Sequence, residues 1–393
     1  MSIMSRSTLR SIINKTSRKT IGVMSGTSAD GVDLTLCEVD VASRRLVNVA
    51  SETTPYPDAL RDKILAISVT GSINLAELMG LSTYLGHYYA DCIEEFCALH
   101  ALALSEIDLI GSHGQTIGHL SEPIPVLDRQ CRGTLQIGDG DVIAKRLGVV
   151  TVSDFRAGDI AVGGSGAPLV PLYHQLRFAK DGALRVVVNI GGIGNITALS
   201  GMTECCATDT GPGNCLVDTY MRKTYRKQFD GGGMVAQSGS IDQELLGQLG
   251  GDTIFNRTLP TTYDRKEVVD LLERYEVLSV SGERAEADVV ATLSELTVRR
   301  IYDAALQLMQ GKKPETVLVC GGGGHNKFFT ARLQRHFGGA PVISTGDFGS
   351  DPDFVEAEAF AYLANLAVED QTGNLPGVTG AQRGAILGKI SQP

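Results

Sequence analysis

Residues 21–36 read Ile21-Gly22-Val23-Met24-Ser25-Gly26-Thr27-Ser28-Ala29-Asp30-Gly31-Val32-Asp33-Leu34-Thr35-Leu36. Apolar Ile21 and Val23 lead into small hydroxylated residues. Val32, Leu34 and Leu36 then alternate with Asp33 and Thr35, the period-two pattern of a half-buried strand. The stretch predicts strand, tight turn, strand. Glycines 26 and 31 let the backbone bend and approach a ligand closely, and the hydroxyls of Ser25, Thr27 and Ser28 join local N–H groups as donors suited to phosphate oxygens. Asp30 and Asp33 are acceptors, and Asp30 could hold a divalent metal through water. The same residues fit an ordinary hairpin with a polar turn. The choice rests on the rest of the chain.

The pattern returns in the second half. Val186–Ile190 predicts a buried strand, 191–195 a glycine-rich turn and Ile196–Leu199 the returning strand, so the chain reads as two duplicated halves. Asp209-Thr-Gly-Pro-Gly-Asn214 predicts a rigid loop presenting Asp209 ahead of a helix that starts near Cys215. The same aspartate would also serve as a turn or capping residue. The strand 317–320 empties into Gly321-Gly-Gly-Gly-His-Asn326, whose glycines permit close approach of a ring or phosphate. Its spacing does not match G-x-G-x-x-G after a first strand, which disfavours a dinucleotide fold. In the first half, Gly111-Ser-His-Gly-Gln-Thr116 predicts a polar turn after the strand 107–110, with His113 as a hydrogen-bonded positioning residue or an acid/base. Arg156 follows the strand 149–152, either in an ion pair or on a substrate oxygen. Gly163–Pro168 predicts a boundary, and 355–366 an Ala-rich helix with Glu356 and Glu358 near its N-terminus.

At 393 residues with 43% hydrophobic and 20% charged residues, the chain predicts a globular protein of two domains. A net charge of −10 argues against nucleic-acid or anionic-membrane partners. Eight cysteines without a C-x-x-C pair predict reduced thiols and a cytoplasmic protein. No apolar run is long enough for a secretory signal or a membrane span. Residues 1–19, basic and serine-rich, read as a flexible extension.

Taken in order, Met24–Asp33, Gly111–Thr116, Ser153–Arg156, Gly166–Pro171, Asn189–Thr197, Asp209–Asn214, Gly321–Asn326 and Glu356–Ala361 resemble the motifs of the anhydro-N-acetylmuramic acid kinase family, within the sugar kinase, Hsp70 and actin superfamily. The resemblance implies two actin-like, ribonuclease H-like α/β domains with mixed sheets flanked by helices and a nucleotide cleft between them. Domain I would span 20–165 and be completed by 356–391, with domain II at 166–355. It implies an ATP- and Mg²⁺-dependent kinase that phosphorylates O6 of a 1,6-anhydro sugar while water opens the bridge, a step of peptidoglycan recycling. Asp209 would be the general base. Gly26, Thr27, Ser28, Ala29, Asp30, Gly31, Val32, Asp33, Gly192, Asn195, Gly322, Gly323 and Asn326 would hold ATP, and Arg156, Glu356 and Thr116 the sugar. A homodimer follows by analogy. The departures are Ala29 for Leu, Gly194 for Ala, and an insertion-like loop at 121–132. These leave two alternatives: a kinase of another anhydro sugar such as levoglucosan, and a non-catalytic nucleotide-binding protein of the superfamily.

Overall fold

The computed structural model of the chain describes residues 8–26, 29–120, 122–279 and 285–393. It divides into two compact units, one running to Tyr173 and resumed by Phe354–Pro393, the other His174–Asp353.

The first unit is built on a seven-stranded mixed sheet. Ser17–Ser25, Gly31–Asp40 and Leu46–Pro55 form an antiparallel meander, with Ile21 opposite Leu36 and Met24 opposite Asp33. Leu109–His119 lies parallel to Ser17–Ser25 on its other side, and Val150–Ser153 lies parallel to that. Lys389–Ser391 closes the edge antiparallel, and Thr134–Ile137 pairs with the far end of Leu109–His119. The predicted alternation holds, since Val32, Leu34 and Leu36 are buried against Leu85, Tyr89, Ile93 and Phe96 of the helix Leu75–Leu99. Residues 111–116 are strand rather than turn, because their backbone continues the ladder with Val150–Ser153 and Thr134–Ile137.

The second unit repeats the order. Leu184–Ile190, Ile193–Ser200 and Glu204–Pro212 form the meander, and Thr316–Cys320 then Val342–Ser344 add in parallel. Its core gathers Val186, Val188, Leu216, Met221, Leu293 and Phe329. Asp209 to Pro212 belong to a strand and not to a free loop, with Asp209 opposite Asn195. The register shifts between Gly194 and Asn195, so the strand is irregular just after Asp209. Each unit is thus an α/β ribonuclease H-like sheet, three antiparallel strands followed by parallel ones.

Two further features differ from the sequence reading. The extension is structured over residues 8–19: Thr8 caps the helix Leu9–Ile13, Ile12 is fully buried, and the strand starts at Ser17. The reason is Arg18, whose buried guanidinium reaches Ile12 O at 3.0 Å, Asn365 Oδ1 at 3.2 Å and Glu369 Oε1 at 2.5 Å. The insertion-like loop is in its described part a small hairpin, Ile124–Val126 against Arg129–Cys131.

The helix Val355–Val368, nearly all buried, lies directly on the first sheet. A methyl group on Gly22 would overlap the Ala357 carbonyl oxygen, and one on Gly111 the Phe360 carbonyl oxygen. Backbone touches backbone here, and neither partner can yield as a flexible side chain would. Gly111→Ala should therefore destabilise the first unit by about 1–3 kcal/mol or more through overpacking. A denaturant titration reads this as a lower midpoint, and an unchanged midpoint would show that the helix is free to lift.

Candidate active site

In the first unit the strand Gly31–Asp40, the helix Phe155–Ala161 and the first turn of the Val355–Val368 helix carry Asp33, Arg156 and Glu356, close enough that the first two act on the charge of the third. Arg156 sits at the start of the helix Phe155–Ala161, reached through Asp154 in the left-handed conformation with φ 54°. Its Nε donates to His113 Nε2 at 2.9 Å, and its Nη1 donates to Gly166 O at 3.3 Å. Nδ1 of His113 lies 2.8 Å from Gly114 O, a pure acceptor, so this nitrogen carries the ring proton and Nε2 is the acceptor for Arg156. Burial, then the Arg156 charge, hold the His113 pKa down at about 3. A neutral histidine of fixed tautomer is a positioning group, not an acid. Glu356 is pushed the other way. Desolvation first, and the Asp33 carboxylate second, raise its pKa, while Arg156 lowers it.

The turn itself is anchored from beneath. Ser25, 1% exposed, donates to Gln115 Oε1 at 2.6 Å and lies 2.9 Å from the Tyr56 hydroxyl, which is 3.0 Å from that of Tyr89. Its hydroxyl is committed inward and does not face a ligand, a correction to the sequence reading. Gln115 Nε2 donates to Gly26 O at 3.1 Å, fixing the point where the chain leaves the strand. Thr27 and Ser28 lie outside the described residues. Ala29 has φ 52° and donates its N–H to Gly26 O at 3.2 Å, and it and Val32 are fully buried. Gly31 has no room for a side chain beside the Thr54 carbonyl. Asp33 accepts from Thr53 Oγ1 at 2.7 Å, and the exposed Asp30 pairs with Arg61 at 3.1 Å. Thr116 accepts from Gln136 Nε2 at 3.2 Å.

In the second unit, Asp209 Oδ2 accepts from Tyr263 N at 3.0 Å, while its own N–H donates to Thr261 O at 3.0 Å. The carboxylate is oriented by backbone and partly exposed. Asn195 is its cross-strand neighbour. Gly191 and Gly192 turn the chain beside it, locked by Asn214 N to Gly191 O at 2.8 Å and by Gly213 N and Cys215 N to Gly192 O, both at 3.1 Å. The glycines after Cys320 divide by role. Gly321 needs its φ of 76°, Gly323 is packed on Ile190, and Gly322 faces open space. Asn326 is 7% exposed and caps the helix Lys327–Phe337, accepting from Phe328 N at 3.0 Å and Phe329 N at 3.2 Å. Its side-chain oxygen is therefore spent on the fold. The Ser25–Gln115–Tyr56–Tyr89 network and the hold of Tyr263 on Asp209 carry no sequence signal, since each joins residues with no shared periodicity. Among the described residues no group of three or more His, Cys, Asp or Glu is arranged to hold a metal.

Residues 18–393 match the model of the family described as "Anhydro-N-acetylmuramic acid kinase". A protein of that name from Pasteurella multocida is 40% identical over 370 residues, 94% of this chain and 96% of its own. One from Aliivibrio fischeri is 38% identical over 372 residues, 95% and 98% of the two chains. Among solved structures, the ADPNP-bound activator of 2-hydroxyisocaproyl-CoA dehydratase from Clostridium difficile is similar at a TM-score of 0.45 and 11% identity, covering 90% of this chain and 96% of that one.

Two pH effects follow from this electrostatics. His113 is neutral when folded, with pKa about 3 against the ordinary 6.5, and His119 is likewise held down at about 4. The unfolded chain takes up these protons first, so stability is complete above pH 6.5 and falls as pH drops toward 3. Melting temperatures should decline below pH 6.5, and less steeply in His113→Gln; equal slopes would contradict the buried neutral ring. Glu356 has the opposite sign. Its raised pKa gives stability that is present below the ordinary carboxylate value and lost as pH rises through the folded value. Glu356→Gln should melt higher than the parent protein at pH 8 and no higher at pH 4, and a lower melting point at pH 8 would refute the like-charge strain.

Proposed function

The chain belongs to the anhydro-N-acetylmuramic acid kinase family, and from that membership we propose that it transfers the γ-phosphoryl group of ATP to O6 of 1,6-anhydro-N-acetylmuramic acid while water opens the anhydro bridge. The products are N-acetylmuramate 6-phosphate and ADP, and the reaction serves peptidoglycan recycling. The observation that carries the reading is the match over residues 18–393, which includes every glycine-rich turn and Asp209.

Asp209 is the base. Its carboxylate, aimed by Tyr263 N, takes a proton from water as the water oxygen bonds to C1. The C1–O6 bond breaks, its electron pair stays on O6, and O6 bonds to the γ-phosphorus as the bridge to ADP breaks. Atoms and charge balance, and no covalent enzyme intermediate is needed. Catalysis then rests on position and on neutralising charge. By family membership Gly26–Asp33 and Gly192 are assigned to the ATP phosphates, with Asn195 beside Asp209, and Gly322, Gly323 and Asn326 to the nucleoside. Arg156, held at two of its nitrogens, presents its guanidinium to a sugar oxygen, with Glu356 and Thr116 as further sugar contacts. Magnesium bound to the phosphates would neutralise charge on the transferred group. Asp33 fits it, standing close enough to Glu356 for the two carboxylates to oppose each other. Asp30, already paired with Arg61, would act only through water. We assign the enzyme to the cytoplasm as a homodimer, with neither nucleic acid nor membrane as partner, in keeping with its net charge of −10.

Turnover on anhydro-N-acetylmuramic acid and levoglucosan side by side tests the substrate, and activity on levoglucosan alone would replace the first sugar by the second. Asp209→Asn should lower kcat by at least about 10²–10⁴-fold while ATP binding, read by calorimetry, stays unchanged. Full activity in that variant would remove Asp209 from the mechanism.

A further inference from the structure

Arg265 opens the helix Arg265–Val269. It is partly buried, and its Nε is shut away from solvent without a hydrogen-bond partner. Among the described residues it has no hydrogen bond and no ion pair. Other cations of the same unit are satisfied: Arg257 by Glu267 at 2.7 Å, Arg274 by Asp252 at 2.5 Å, and Arg332 by the buried Glu295 at 2.6 Å. The carboxylates nearest Arg265 in sequence are spent elsewhere. Asp264 caps the helix through Lys266 N at 2.7 Å, Glu267 accepts from Asp264 N at 2.9 Å, and Asp270 pairs with Lys266 at 2.9 Å.

The position of this unpaired guanidinium is specific. Its Nε would lie 3.9 Å from a Cβ on Gly192, so it stands over the glycine turn. The segment that carries it is pinned to Asp209 at Thr261 and Tyr263. It also lies close to Cys215, the first residue of the ten-residue helix Cys215–Thr224. Burial pushes that thiol up to about 12 even though the Arg265 charge opposes the shift. The N-terminus of this helix has no side-chain cap, because Asn214 Nδ2 donates to Ile190 O at 3.0 Å. A half-buried cation with no ion pair among the described residues and a helix N-terminus without a side-chain cap thus border one glycine turn. Each favours an anion, and leaving the guanidinium unpaired there costs free energy that a phosphoryl oxygen would recover.

Resting on the kinase reading above, we propose that Arg265 is a catalytic residue that contacts the oxygens of the transferring phosphoryl group beside Gly192 and neutralises the charge that develops there. It forms no covalent bond and moves no proton. The bond changes are those of the transfer itself, with an arginine supplied within the chain.

The test separates this claim from the kinase reading. Binding of ADP alone and of ADP with aluminium fluoride, a mimic of the transferring phosphoryl group, is measured by calorimetry for the parent protein, Arg265→Ala and Arg265→Lys, without any sugar. ADP alone should bind all three alike, while the aluminium fluoride complex should weaken roughly 10²- to 10³-fold in Arg265→Ala. In turnover the same variant should lose kcat by a similar factor with KM for ATP little changed, and added guanidinium should restore part of it. The melting temperature of each variant shows that the fold is intact. Equal affinity of parent and Arg265→Ala for the aluminium fluoride complex, or an equal loss for ADP alone, would overturn the proposal. If the parent protein phosphorylates no anhydro sugar, the kinase reading fails, and the binding arm still decides whether Arg265 meets a phosphoryl group.

Discussion

The first unit depends on a contact without side chains in it. The Val355–Val368 helix meets the central strands at Gly22 and Gly111, where any β-carbon would collide with helix carbonyls. Because the approach is that close, the alanine-rich helix fills its seat with Ala357, Ala361 and Ala364, all nearly fully buried. Close-packed backbone leaves little slack, so the first turn of the helix is set relative to the strands on either side. That turn carries Glu356. The same seating thus closes the core and delivers a carboxylate to Asp33 and Arg156.

The consequences are electrostatic. An acidic protein that handles anionic phosphates has to place a few cations and donors where the charge appears, and withhold carboxylates elsewhere. Arg156 is held by His113, which burial keeps neutral, so the guanidinium is aimed by a neutral partner. Glu356 and Asp33 stand close enough to oppose each other, a cost to stability of the kind that sites accept when a ligand relieves it. In the second unit Asp209 is directed by main-chain groups, which neither titrate nor rotate.

Much of this was legible in the chain. The two meanders announced themselves through period-two apolar residues on either side of glycine turns, and the five strands of the second sheet follow the order of five of the seven in the first. Asp209 stood out because its neighbours are conformationally special residues, and the match of residues 18–393 to one family agrees with the order of the motifs. Other parts were misread for a physical reason. Residues 111–116 and 209–212 look like loops by composition, yet they are strand because neighbouring strands satisfy their backbone. The basic start looks loose because Arg18 gains its partners, Asn365 and Glu369, only from the far end of the chain.

The sequence by itself determined the local vocabulary: strand, glycine turn and strand, the alanine-rich helix, and an acidic residue at 209. These follow from side-chain period and backbone freedom, which act over a few residues. Only the tertiary structure decided which polar groups are spent and which are left over. Ser25 and Asn326 turned out to be committed to the fold, His113 to aiming Arg156, and Arg265 to have no partner among the described residues. Such assignments depend on contacts between residues far apart in the chain, and no pattern of neighbours encodes them. The turn at 25–31 is therefore read correctly from sequence as a turn, while its chemistry is set by Gln115, Asp33 and Glu356, which folding brings to it.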